Sequence, residues 1–259
     1  AGLEILSMTN YSTALGQIML CRVAESGYVQ IAGPVNTKDH KKMCKEMLAY
    51  GAEIVLIDGA IDRKSIAAPD TSDAIILSTG AVLSRSMKKV VEETAHIVGL
   101  YQLPELEEGS VRDLICSGEE QDKIMLIKGN RREILDLKTG LTAGKYLDEA
   151  IGDETDFIYI PGALTTSVIS DIHPSKMKQV EFILKDPTKI FIDAMQWQQL
   201  RKKGFTVKVL DNITVAALTV NPHAPAGYSF EHEALLKAMR NEIDGIPVID
   251  VKLSESTRY

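Results

Sequence analysis

The chain lacks the motifs that mark several common chemistries. Neither a G-x-x-x-x-G-K-[ST] phosphate cradle nor a G-x-G-x-x-G fingerprint occurs anywhere in its 259 residues. Both motifs work by bringing the backbone N–H groups of a glycine-rich turn against phosphate oxygens. A nucleotide site built from these residues alone therefore lacks the usual cradle, and Gly129-Asn130-Arg131-Arg132 fits neither spacing. There is no G-x-S-x-G nucleophile elbow. Cysteine is sparse: Cys21, Cys44 and Cys116 lie far apart with no CxxC pair. That usage fits a reducing cytosol better than a disulfide framework, and a cytoplasmic location is expected. Cys21 and Cys116 stand in or beside apolar segments with no His close in sequence, which speaks against thiol nucleophiles. Aromatic residues make up 5% of the chain, too few to propose a stacking platform for single strands. A formal net charge of -7 and a pI of about 5.3 oppose broad binding to nucleic acid or anionic membrane. No apolar run approaches the roughly 20 residues that span a bilayer, and no secretory signal is visible. The chain opens at Ala1 rather than Met and goes straight into strand-like sequence, which raises the expectation of further residues upstream.

What is present is an ordinary globular composition, 45% hydrophobic and 25% charged. The stretch Ile54–Ser65, IVLIDGAIDRKS, draws the most attention. Ile54-Val55-Leu56-Ile57 reads as a strand buried on both faces, because it is short, branched and bounded by turn residues. Asp58 follows directly, at the carboxyl end where α/β proteins place ligands. In phosphate-binding folds an acid there often meets Mg²⁺, and here it is followed by Asp62, Arg63, Lys64 and Ser65. An Asp that merely caps a turn reads equally well from the local pattern.

Around this stretch the chain reads as α/β. Ala14–Ala24 is expected to be a helix, with Leu15, Ile18, Met19 and Val23 on one face. Tyr28–Ala32 reads as a strand, Asn36-Thr37 as a cap, and Lys38–Tyr50 as a helix, giving with Ile54–Ile57 a βαβ unit. Ala74–Leu77 is a further strand and Ser86–Val98 a further helix, and the acidic segment Glu105–Glu108 is expected to face solvent. Strands are expected at Lys123–Ile127, Asp156–Ile160, Thr206–Leu210, Ile213–Val220 and Ile246–Val251, with short apolar runs at Val180–Leu184 and Lys189–Ile192. Helices are expected at Leu141–Ile151, Ala194–Lys203 and Phe230–Ile243. The expected organisation is a core half, 1–110, carrying the site, and a second α/β half, 111–259, which also reads as part of the same domain. Three apolar runs end in polar turns, at Asn36-Thr37, at Asp58–Ser65 and at Ser78–Arg85, the last contributing Thr79 and Arg85. Parallel strands would bring all three to one sheet edge. Arg63, Lys64 and Arg85 suit an anionic ligand there, or are ordinary surface charge.

Metal signals are weak. His40 and Cys44 stand four apart on one face of an expected helix, with no third ligand in view. His173 and His223 are isolated loop histidines, read as surface or capping groups before phosphate-orienting ones.

Several phrases together resemble a known family: Glu4-Ile5-Leu6, Asn10–Gly16, Val29–Pro34, VLIDGAIDRKSIAAP at Val55–Pro69, ILSTGAVLSR at Ile76–Arg85, Val91–Thr94 and Asn221-Pro222. They are similar to the lysine 5,6-aminomutase reactivating subunit family, the smaller subunit encoded beside that adenosylcobalamin-dependent enzyme in amino-acid-fermenting bacteria. The resemblance covers most of the chain, and IDGAIDRKS is its most specific part. It implies a mostly parallel sheet with helices on both faces, around a P-loop-NTPase-like core similar to dethiobiotin synthetase. It also implies ATP and Mg²⁺ as cofactors, and as partners the aminomutase and a subunit similar to mismatch-repair ATPases. Nucleic acid and membrane are not implied, and a homo-oligomer is compatible. Members carry an N-terminal x-N-V-G-K-T segment that this sequence does not contain. If the segment lies upstream, Asp58 resembles the strand-end acid facing Mg²⁺, and Asp62, Arg63 and Lys64 lie beside the phosphates. Without it, this chain alone lacks the family's phosphate cradle.

The expectation is thus a nucleotide-dependent, chaperone-like reactivating factor. Asp58 and Asp62 are the catalytic candidates, with Arg63, Lys64, Ser65, Asn36, Thr37, Thr79 and Arg85 binding cofactor. Two rivals stand beside it: an ATP-dependent ligase or carboxylase acting on a small anionic metabolite, and a non-catalytic scaffold that binds a partner.

Overall fold

The computed structural model describes residues 2–34, 36–59, 64–136 and 143–253, and for Lys64 and Ser65 the backbone alone. It is a mixed α/β protein. The chain divides into two compact units, Ala1–Ser72 and Asp73–Tyr259.

The first unit begins with an antiparallel hairpin of β1 (Leu3–Thr13) and β2 (Gly16–Val23). Gly16 makes the tight turn at φ 121°, a conformation that favours glycine. The expected helix over Ala14–Ala24 is therefore strand β2. Its burial alternates, with Ile18 and Leu20 inside and Met19 and Cys21 outside, and that period of two wins over the helical spacing of Leu15, Ile18 and Val23. The unit continues with α1 (Thr37–Ala49), where Asn36 Oδ1 accepts from the Asp39 N–H at 2.8 Å, the cap expected of it. Tyr11 of β1 donates to Glu46 of α1 at 3.0 Å, tying hairpin to helix. A single 3₁₀ turn follows at Lys64–Ala67.

The flanking strands of the expected βαβ unit do not form. Tyr28–Ala32 is irregular and exposed throughout, and Ile54–Ile57 is irregular too, with Ile54 79% and Leu56 87% exposed. A branched apolar run becomes a strand only against a neighbouring edge, because strand preference is largely packing and ladder hydrogen bonding. Among the described residues of this unit the hairpin pairs only with itself.

The second unit carries the rest: β3 (Ile75–Gly80), α2 (Met87–Tyr101), α3 (Ser110–Cys116), β4 (Ile124–Lys128), β5 (Arg131–Leu135) and α4 (Ala143–Ala150). After these come β6 (Phe157–Ile160), β7 (Leu164–Thr165), α5 (Thr166–Ser170), α6 (Pro174–Gln179), β8 (Glu181–Leu184) and β9 (Ile190–Phe191). The last elements are α7 (Ala194–Lys202), β10 (Val207–Val209), β11 (Val215–Asn221), α8 (His232–Glu242) and β12 (Val248–Asp250). A three-stranded sheet, β12-β11-β3, is parallel throughout. A five-stranded sheet runs β10-β8-β6-β4-β5 and is mixed rather than mostly parallel, because β4 is antiparallel to both neighbours. For the β4–β5 pair the cause is local: Gly129-Asn130 joins the strands in a two-residue turn, and such a turn makes antiparallel neighbours. A short parallel pair, β7-β9, completes the sheets.

Three apolar clusters explain the layers, the third being Met125, Ile127, Tyr159 and Ile183 of the larger sheet with Ile115 of α3. Leu126, Ile158, Phe182 and Val209 of the larger sheet pack with Leu147, Ile169 and Leu200 from helices α4, α5 and α7. Leu218 and Val220 of β11 pack with Val90 of α2 and Leu235 and Met239 of α8. The glutamates of Glu105–Glu108 face solvent, but Leu106 among them is buried and its N–H donates to Val209 at 2.8 Å.

Candidate functional site

The parallel register of the smaller sheet brings three strand ends level. Thr79 of β3 lies opposite Val220 of β11, Gly80 opposite Asn221, and Val220 in turn opposite Asp250 of β12. Carboxyl ends of parallel strands are where α/β folds gather functional loops.

Gly80 is dictated by contact. A Cβ there would lie 2.1 Å from the Asn221 carbonyl oxygen, which accepts from the Ala81 N–H at 2.9 Å. Two backbones that close leave room only for glycine. Beyond Gly80 the chain turns through Ala81–Arg85 into α2, where Ser86 accepts from the Lys89 N–H at 3.4 Å.

The turn after β11 is built by its own side chains. Asn221 Oδ1 accepts from the His223 N–H at 3.0 Å, an Asx-type closure. His223 and Ser229 form a bridge, their side chains 2.7 Å apart between Nδ1 and Oγ. Tyr228, carried in the same turn, donates its hydroxyl to the Ala81 carbonyl. The Arg85 guanidinium carbon stands 4.8 Å from the Tyr228 ring centre, a cation–π contact. Arg85 is exposed, so its donors remain available to an anion.

The third strand end supplies a buried acid. The Asp250 side chain is 1% exposed. Its Oδ1 accepts from the N–H groups of Lys252 at 2.8 Å and Leu253 at 3.2 Å, and its Oδ2 accepts from His232 Nδ1 at 2.8 Å. A carboxylate can only accept, so His232 carries its proton on Nδ1 in that contact. His232 is the first residue of α8, and its ring lies 5.1 Å from that of His223 at 70°.

The expected site residues distribute as follows. Asn36 and Thr37 lie together at the start of α1, with Asn36 spent on the cap. Asp58 is exposed, in the irregular segment of the first unit. Asp62 and Arg63 lie outside the described residues, and of Lys64 and Ser65 only the 3₁₀ backbone is described. Thr79 and Arg85 fall in the second unit, at the shared edge. Thr79 is buried and bonds Thr94 Oγ1 at 2.8 Å, while Thr94 donates to the Val90 carbonyl at 2.7 Å. That leaves Thr79 the donor to Thr94, a strut between β3 and α2 rather than a ligand group. His40 and Cys44 do share α1. His40 is buried with Nε2 unpartnered, and burial pushes the Cys44 thiol up.

His232, Asp250 and Tyr228 were not singled out by sequence. The signals were thin: an Asp at the end of the last strand, and a His opening the last helix. Among the described residues no group of three or more His, Cys, Asp or Glu is placed to hold a metal ion, and no helix is long and apolar enough to cross a membrane. Mg²⁺, however, commonly uses one or two carboxylates together with substrate phosphates, and the exposed Asp58 is chemically suited to that. Compared with known proteins, the chain matches no family model, no curated protein and no solved structure.

Proposed function

We propose that this chain is a nucleotide-dependent reactivating subunit for an adenosylcobalamin-dependent aminomutase, with a P-loop-NTPase-like core of the dethiobiotin-synthetase type. The observation that carries the reading is the set of family phrases, above all IDGAIDRKS at Ile57–Ser65. It is supported by the position of a second phrase, ILSTGAVLSR, whose strand ends at the carboxyl edge of a parallel sheet. ATP with Mg²⁺ would supply phosphoryl transfer to water, with metal and cations neutralising developing charge. Asp58 and Asp62 are the catalytic candidates, Asp58 as the acid that would face the metal and Asp62 beside the phosphates. Arg63, Lys64, Ser65, Asn36, Thr37, Thr79 and Arg85 are the candidates for cofactor binding. The free energy would drive exchange of damaged cobalamin from the aminomutase, in company with a mismatch-repair-ATPase-like subunit in the cytoplasm. Isothermal titration with Mg-ATP, with and without the aminomutase, tests this: heat that disappears in Asp58→Ala is expected, and no heat in either format overturns it.

One observation favours a second reading, an ATP-dependent ligase or carboxylase for a small anionic metabolite. Arg85 over Tyr228 and the histidine pair form a polar cluster well away in sequence from Asp58. A thermal-shift screen separates the readings, because a carboxylate metabolite that stabilises more strongly than any nucleotide supports this one.

A further inference from the structure

We infer that His223 and His232 form a two-histidine site for a borderline divalent transition metal of the Zn²⁺, Co²⁺ or Ni²⁺ class, at the carboxyl edge of β11 and β12. Three observations carry it. First, each imidazole has its Nδ1 hydrogen-bonded to an oxygen: His232 to the buried Asp250 carboxylate at 2.8 Å, which can only accept, and His223 to the Ser229 hydroxyl at 2.7 Å, which frees the His223 Nε2 lone pair in the tautomer where Ser229 accepts. Metal-ligating histidines show this arrangement, in which the outer acceptor holds the proton on one nitrogen and leaves the other as a lone-pair donor. Second, among the described residues neither Nε2 has a hydrogen-bond partner, and neither is a buried orphan. Third, the ring centres are 5.1 Å apart. With metal–nitrogen bonds of about 2.0–2.1 Å and a near-tetrahedral angle, two imidazole centres sit roughly 5 Å apart.

The donor set fixes the class of ion. Imidazole nitrogen suits these borderline ions, whereas Mg²⁺ and Ca²⁺ take oxygen. Two protein ligands leave the remaining positions to water or to an incoming anion, so the site is an open one rather than a structural one. Asp250 is a positioning residue here: it touches the ring and not the ion. Its backbone partners, the N–H groups of Lys252 and Leu253, hold it in turn at the end of β12.

The test uses the tag-free full chain and the metal alone. Calorimetric titration with Zn²⁺, or optical titration with Co²⁺, should show one ion per chain. His223→Ala and His232→Ala should each weaken binding at least tenfold, and Asp250→Asn should weaken it by about 10–100-fold. His223 is exposed, so its replacement keeps the fold, which circular dichroism verifies. With Cu²⁺ as probe, electron paramagnetic resonance should show coupling to two nitrogens in the parent and one in either single variant. Binding that survives the His223/His232 double replacement overturns the assignment. So does binding lost instead in His40→Ala/Cys44→Ser, or no binding by the parent.

Discussion

In the second unit Leu126, Ile158 and Phe182 are completely buried, each on a strand with paired neighbours. In the first, Ile31, Ile54 and Leu56 have equally apolar side chains and stand in solvent, on segments with no ladder partner among the described residues. The side-chain chemistry is the same and the outcome opposite. What differs is the edge on offer: β6 lies between β4 and β8, so a branched residue there is covered from both sides, whereas the hairpin β1–β2 pairs with itself. Hydrophobicity and branching make a segment ready to be a strand, and a neighbour makes it one.

The largest expected effect tests that contrast directly. Phe182→Ala should destabilise the second unit by about 3–5 kcal/mol, since it removes a fully buried ring packed on Phe205. Leu56→Ala should change stability by less than about 0.5 kcal/mol, as for an exposed side chain. Urea unfolding of the two variants reads the difference, and equal losses would remove the contrast. Next in size is Gly80→Ala, where the added methyl meets the Asn221 carbonyl. Forced repacking of that kind costs about 1–3 kcal/mol. It should lower the unfolding midpoint while leaving the slope unchanged. Asn36→Ala should cost about 1 kcal/mol by removing the α1 cap, with the loss confined to amides of the first unit in hydrogen exchange. Smallest in free energy is the exchange pattern of the parent. Amides of Val29–Ala32 and Ile54–Ile57 should exchange at nearly unprotected rates while those of β4 and β6 stay protected. Slow exchange at Ile54–Ile57 would mean that a partner edge covers that run.

The same contrast explains what was legible in the sequence. In the second unit apolar runs bounded by turn residues are legible as strands: β4, β6, β10, β11 and β12 form inside or beside the expected spans, and β8 forms within the apolar run Val180–Leu184. Over Ala14–Ala24 the spacing of Leu15, Ile18, Met19 and Val23 mimics a helical face, whereas within that span Ile18 and Leu20 alone are buried, as a strand requires. At the candidate site, Thr79 and Arg85 were visible as the polar end of a strand. His232 and Asp250 are not visible there, because they stand 18 residues apart and meet through the packing of α8 against a sheet in which β12 pairs with β11. Pairing across strands is a long-range fact that local pattern does not encode.

The contact at Gly80 has a mechanical meaning. Two main chains are pressed together there, and Tyr228 reaches back across them to the Ala81 carbonyl. The segment leading into α2 and the turn leading into α8 are thereby yoked. Arg85, stacked on Tyr228, thus shares one anchorage with the turn bearing His223, and a side chain larger than glycine at position 80 would strain both loops at once.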